Sequence, residues 1–336
     1  MPSMGPRTHY RAVFLGFGGA LFVYLLVSIG ATEISRLLLG IGWYFGLISV
    51  TYACYQLIRA IAYWKCVANT LTSYWDVLRI RLSGEAVQFL TSTGPFLAEP
   101  TKVWFLRRRG LSTKYAVAAT VAEYLIYTLS SAALAIAGLT YLLRNFDLSS
   151  PASAAAKILV CVMAAFLLAA IYAISFRIYL IGFIIKGARG LPMIGKHVRL
   201  RENDVRDTED LLFVVLRDHP LRFLLILVVE FAAQGILILE LFILLRATEI
   251  AFSVFHPFLI EAASKPIGLA FFFIPGQVGA AEGTYAFIFK TVGLPASAGF
   301  ALALARRLRS ILVAGVGLSM MPLWRERDEP SSRTSE

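Results

Sequence analysis

Ile274-Pro275-Gly276-Gln277-Val278-Gly279-Ala280-Ala281-Glu282-Gly283-Thr284 interrupts an otherwise apolar segment, about 256-291, and leaves halves too short to cross a bilayer. A spanning helix needs roughly 20 apolar residues. A second break, Thr93-Gly94-Pro95, divides the segment at about 76-109 in the same way, because Gly and Pro punctuate helices. Non-helical backbone at membrane depth is tolerated only where protein buries it or where it lines a wet cavity. Both segments therefore read as re-entrant hairpins, and their breaks (Gly94, Pro95, Pro275, Gly276 and Gly279) mark candidate sites.

Working outward, six further segments have spanning length: about 11-30, 38-62, 115-143, 156-185, 220-246 and 296-323. With 58% of 336 residues hydrophobic, 16% charged and a mean hydropathy of +0.71, water is not the main solvent of this chain. The expected fold is an all-α integral membrane protein of six transmembrane helices plus two re-entrant hairpins. One membrane domain is expected over 1-323, with a cytoplasmic loop at about 186-219, read as a solvated connector, and a disordered tail at 324-336. No removable signal peptide is expected before the first apolar run. Cys54, Cys66 and Cys161 have neither disulfide nor metal spacing and read as inert core thiols.

The net charge of +11 is distributed as in a membrane protein rather than a nucleic-acid binder. With the N-terminus in the cytoplasm, 21 Lys and Arg fall on the inner face and 6 on the outer, so a multi-pass protein of the inner (plasma) membrane with both termini in the cytoplasm is expected by the positive-inside rule.

Ala98-Glu99-Pro100-Thr101 is echoed 183 residues later by Ala281-Glu282-Gly283-Thr284, and the same shift carries Gly110-Leu111 onto Gly293-Leu294, Ala118 onto Ala301, Ala122 onto Ala305 and Leu125 onto Leu308. Three full spans lie between the hairpins, an odd number, so the hairpins enter from opposite faces. The result is two repeats of inverted topology, about 11-143 and 156-323, an arrangement that transporters use to alternate access around a midplane site. An old duplication serving only folding is the other reading.

Ionisable groups inside a bilayer cost on the order of 2.5–3.5 kcal/mol each and need partners or water. Glu123 lies two turns into its span, and the shift places Arg306 at the equivalent position. Both are expected to line a central cavity, with Arg306 and Arg309 on one helix face offering charge to a lipid phosphate; a structural ion pair is the alternative. Glu99 and Glu282 follow the breaks and precede short helices expected to begin at Thr101 and Thr284. They read either as caps of free amides or as paired gating groups. Glu85 and Lys265 are expected as supporting partners, Lys102 with Arg107, Arg108 and Arg109 as a cytoplasmic cluster that holds anionic headgroups, and Glu230 as a deep acid facing protein.

At these residues the chain resembles the flippase-like membrane domain of the lysylphosphatidylglycerol synthase family. The resemblance spans nearly all of 11-323. It rests on Gly84-Glu85, Pro95, Ala98-Glu99-Pro100-Thr101-Lys102, Gly110-Leu111-Ser112 and Glu123, then on Ile274-Pro275-Gly276, Gly279, Glu282-Gly283, Gly293-Leu294 and Arg306. In bifunctional members a similar domain flips aminoacylated phosphatidylglycerol made by a soluble synthase domain; this sequence ends at Glu336, so the synthase activity is not expected. Tyr124 stands where the family often has Arg, which puts the usual local ion pair in doubt. The resemblance implies a lipid translocator with an anionic, glycosylated or isoprenoid- or hopanoid-type cargo.

An enzyme acting on headgroups would need a nucleophile or metal constellation. His9, His197, His219 and His256 are scattered and no Gly-rich phosphate loop follows a strand. No enzymatic activity, cofactor, metal or nucleic acid is expected. The expected partner is a membrane lipid substrate, and a non-catalytic membrane partner of a lipid- or glycan-modifying enzyme is the alternative reading.

Overall fold

The computed structural model describes residues 31–90, 95–180, 182, 202–271 and 277–321. Among them every regular element is helical: α1 (Ala31–Ile41), α2 (Tyr44–Val67), α3 (Tyr74–Leu90), α4 (Pro95–Arg108), α5 (Thr113–Asn145), α6 (Ser150–Ser175), α7 (Glu202–Phe213), a π-helical turn (Val214–Asp218), α8 (Pro220–Ala247), α9 (Phe255–Ala270), α10 (Ala280–Thr291) and α11 (Ala296–Met320). Four of these, α2, α5, α6 and α8, are long and apolar enough to cross a membrane. The expected span at 11-30, the breaks Gly94, Pro275 and Gly276, and the tail lie outside the described residues. α11 has spanning length at 25 residues but carries Arg306, Arg307 and Arg309, so length and apolarity part company there.

Helix ends follow local chemistry. Ser112 caps α5, its hydroxyl accepting the Tyr115 amide at 3.3 Å, and Pro stands in the first turn of α6 and α8. The span expected at 38-62 begins instead at Tyr44, because Gly42 turns the chain with φ of 41° between α1 and α2. The echoed Gly-Leu pairs have one cause. Gly110 and Gly293 have φ of 87° and 79°, and the Leu111 and Leu294 amides donate back to the carbonyls of Leu106 (3.4 Å) and Phe289 (2.8 Å). Each short helix, α4 and α10, thus ends in a Schellman turn whose glycine supplies the left-handed residue and whose leucine covers the last turn.

Two apolar clusters fill the bundle. One joins the first part of α2 to the later parts of α5 and α8 and to α9, α10 and α11. The other joins the end of α2 to α3, α4, the first part of α5, α7 and the start of α8. The buried charges of α2, α5 and α8 are Arg59 on α2, Glu123 on α5, and Glu230 and Glu240 on α8. α8 packs on α2, α11 on α3 and α9 on α5. Two of these packings depend on glycine: a Cβ at Gly317 would collide with the Leu82 carbonyl of α3, and one at Gly138 with the Ala262 side chain of α9. Gly317→Ala is expected to destabilise the protein by about 1–3 kcal/mol, the usual cost of overpacking, read as a lower melting temperature in detergent; Gly315→Ala, which meets open space, should leave it unchanged.

Three expectations are corrected. Residues 202–218 are not a free connector: α7 packs on α5, burying Val205, Leu212 and Phe213, and Lys114 pairs with Asp204 at 2.8 Å and Asp207 at 2.6 Å. The amphipathic spacing of those apolar residues gives the segment a face to bury. Of the three thiols only Cys66 is in the core, while Cys54 and Cys161 are exposed on helices that offer an apolar surface. The short helices begin at Pro95 and Ala280 rather than at Thr101 and Thr284, since proline suits the first position of a helix and Gly279, with φ of 77°, turns the chain just before Ala280.

Candidate functional site

A cavity of about 480 Å³ is lined by α2, α3, α4, α5, α6, α9, α10 and α11. Its polar walls form two hubs. In the first, Glu123 of α5 is fully buried and its carboxylate meets Arg59 of α2, Arg81 of α3 at 3.1 Å and Lys102 of α4 at 3.6 Å. Arg59 also reaches the buried Glu230 of α8 at 3.2 Å and stacks on the Tyr127 ring at 3.8 Å. The Arg81 Nε donates to Gln56 at 3.0 Å. Lys102 binds Glu99, one turn before it, at 2.7 Å.

In the second hub, Arg306 of α11 reaches Glu261 of α9 at 3.0 Å and Glu240 of α8 at 3.5 Å, and donates to the Tyr285 hydroxyl of α10. Arg309 pairs with Glu240 and lies 3.5 Å over the Tyr52 ring, while Lys265 binds Glu261 at 2.7 Å. Arg307 meets Glu282 at 2.6 Å. The 183-residue shift relates Glu123 to Arg306 and Lys102 to Tyr285, so the same pair of touching positions recurs at that offset with the charge of the hub inverted. A bridge connects the hubs: Tyr52 donates to Glu85 at 3.0 Å, and Glu85 faces Arg81 at 3.9 Å.

Glycines bring these side chains within reach. A Cβ at Gly84 would lie 2.9 Å from the Lys102 Cγ, so only glycine lets the lysine stem cross α3 and present its ammonium to the cavity. A Cβ at Gly299 would collide with the Tyr285 carbonyl, and the resulting close approach of α10 and α11 puts Arg306 on the Tyr285 hydroxyl. Gly279 begins α10 with φ of 77°, and its amide donates to Glu282 at 2.8 Å, a capping-box bond.

Among the expected site residues, Glu85, Glu99, Lys102, Glu123, Lys265, Arg306 and Arg309 all line the cavity. Their partners differ from expectation. Glu123 and Arg306 are the centres of separate hubs, and Arg306 and Arg309 are already paired with acids. Glu282 is the helix cap, whereas Glu99 lies inside α4 and binds Lys102 rather than terminal amides, because α4 starts four residues before it. Lys102 is buried in the cavity wall and is not grouped with Arg107, Arg108 and Arg109; Arg109 pairs instead with Asp76 at 2.7 Å, and Arg108 covers the Trp104 ring at 4.0 Å. Arg81 and Lys102, both counted as inner-face charges, and Lys265, counted as an outer one, are thus interior groups.

Glu240 and Glu261 were missed, as were the partnerships of Arg59, Arg81 and Arg307 and the roles of Tyr52 and Tyr285. Arg59 and Glu240 had a legible signal, as charges in the middle of long apolar runs. Arg81 and Glu261 did not, because a charge in a short interrupted helix looks the same in sequence whether it faces water or protein.

The lining carries seven bases and four acids. Three further acids, Glu230, Glu240 and Glu282, are fully buried behind it, so the cluster is balanced in total while the surface presented to the cavity is basic. Buried ions of this kind persist only when paired. No group of His, Cys, Asp and Glu able to hold a metal occurs among the described residues.

The model of the family described as the lysylphosphatidylglycerol synthase TM region matches residues 12–317. No curated protein and no solved structure matches the chain.

Proposed function

The chain belongs to the lysylphosphatidylglycerol synthase TM-region family, and on that premise we propose that it is a lipid translocator whose headgroup path is the charged cavity. The observation that carries this is the position and polarity of the cavity: midway along helices able to cross a membrane, walled by both halves of the chain and basic on its inner surface. Its volume of about 480 Å³ is in the range of sites that hold a small molecule, about 300–1,000 Å³. That is room for a headgroup, with acyl chains left in the bilayer. Phosphate is the headgroup component that a wall of Arg and Lys favours.

The proposed architecture is six spans with two hairpins in inverted repeats. In its support, the shift that relates the two hubs also relates Thr113, where α5 begins, to Ala296, where α11 begins, and it relates the two Schellman glycines. The mutual packing of α11 on α3 and α9 on α5 is what a pseudo-two-fold would produce, each hairpin arm resting on the last helix of the other half. Rocking of one half against the other would open the cavity to alternate faces. The same reading has no enzymatic step, places both termini in the cytoplasm and takes the plasma membrane as the site of action.

The test is headgroup accessibility of fluorescent phosphatidylglycerol in proteoliposomes. Wild type is expected to expose inner-leaflet probe at a rate at least tenfold above empty liposomes. Rates equal to empty liposomes for anionic, glycosylated and isoprenoid-linked probes would overturn the translocator. One observation favours a second reading, a non-catalytic membrane partner: only 6% of the α6 window is buried, which leaves that helix free to contact another membrane protein.

A further inference from the structure

Four carboxylates reach the cavity, and they are not equivalent. Glu123 and Glu261 are 0% and 2% exposed and each is held by at least two bases. The side chains of Glu85 and Glu99 are 29% and 21% exposed. Glu85 faces Arg81 only at 3.9 Å and has a second anchor in the Tyr52 hydroxyl at 3.0 Å. Glu99 gives one oxygen to Lys102 at 2.7 Å, and its other oxygen is buried with no hydrogen-bond partner among the described residues.

The two bases they cover are fixed from behind. Arg81 is held by Gln56 through Nε and by Glu123 through Nη1, so that Nη2 is the donor turned towards Glu85. Lys102 is held by Glu123 and by the groove that Gly84 leaves open. Two cationic donors from neighbouring helices, fixed at the back and covered at the front by movable carboxylates, make an oxyanion site with resident occupants.

We propose that Arg81 and Lys102 form the phosphate subsite of the cavity, and that a lipid headgroup phosphate binds there by displacing Glu85 and Glu99. This rests on the translocator reading and assigns its headgroup contact. The exchange replaces carboxylate oxygens by phosphate oxygens on the same donors, so neither side of it leaves a buried cation bare, the condition that makes buried charges costly. Glu85 retains Tyr52 as a partner when it turns away. The consequence is a sign: a carboxylate that occupies the site is a competitor, and its removal strengthens binding. A gate or proton-coupling group has no such effect on affinity.

The experiment is equilibrium binding of dioctanoyl phosphatidylglycerol to the purified full chain in neutral detergent, with dioctanoylglycerol as the control lacking phosphate and inorganic phosphate as a separate probe. Glu99→Gln and Glu85→Gln are expected to bind the phospholipid about five- to tenfold more tightly than wild type, and Lys102→Gln at least tenfold more weakly, with Lys102→Arg intermediate. Melting temperatures verify that each variant is folded. Unchanged or weaker binding by folded Glu99→Gln and Glu85→Gln overturns the proposal, as does equal binding of the diacylglycerol. Inorganic phosphate that displaces the phospholipid supports a headgroup phosphate site; inorganic phosphate that binds while the phospholipid does not assigns the site to free phosphate and overturns the lipid part. Scrambling by wild type with no tightening in Glu99→Gln removes the subsite and leaves translocation standing, whereas tightening without scrambling does the reverse.

Discussion

Glu123→Ala is expected to cost the protein about 3–5 kcal/mol, the penalty for breaking a buried ion pair and leaving its partner uncompensated. The residue is fully buried and its carboxylate is shared by Arg59, Arg81 and Lys102. Of these, only Arg59 has a second buried acid, Glu230; the others would be left with partly exposed partners, Glu85 and Glu99. Glu123→Gln keeps a carbonyl for one hydrogen bond and should fall between alanine and wild type. Monodispersity and melting temperature in detergent measure both variants. A Glu123→Ala protein that melts with wild type would mean that water, rather than this carboxylate, balances the three bases.

The second large effect is expected at Arg306 and should appear in transport before stability. One guanidinium touches three helices, through Glu240 of α8, Glu261 of α9 and Tyr285 of α10. Lysine keeps the charge but has no planar fork and cannot reach all three. Arg306→Lys is expected to remain folded, since Lys265 and Arg309 still neutralise Glu261 and Glu240, and to lower the rate of lipid movement in proteoliposomes at least tenfold. Arg306→Lys with wild-type transport would remove this hub from the headgroup path and leave it a structural contact.

Much of the outline was legible. Gly-Pro breaks divided two apolar segments into helix pairs, and the described pairs, α3 with α4 and α9 with α10, fall within two residues of the expected limits. The Gly110-Leu111 and Gly293-Leu294 echo was visible because a Schellman turn needs glycine at one position and an apolar side chain at the next, a constraint written in residue type. Glu123 and Arg306 were legible because a charge in a long apolar run is costly and so rarely accidental.

The pairing was not legible. Pairing Arg59 with Glu123 and Glu230, or Arg309 with Glu240, joins residues up to 171 positions apart, and no spacing rule links them. Lys102 reads as a member of a basic cluster with Arg107, Arg108 and Arg109 until Gly84 is seen to hold its stem against α3. Glu99 reads as a helix cap until the start of α4 at Pro95 places it one turn inside.

By itself the sequence determined the solvent of this protein, the interruption of its helices and the identity of its deep charges, because hydropathy, backbone breaks and the cost of a buried ion act locally along the chain. Tertiary structure alone decided which charge meets which, and therefore which carboxylates are fully buried and which are partly exposed: ion pairing depends on distance through space between helices, and that distance is set by packing at Gly84, Gly138, Gly299 and Gly317, where a missing Cβ lets two helices touch.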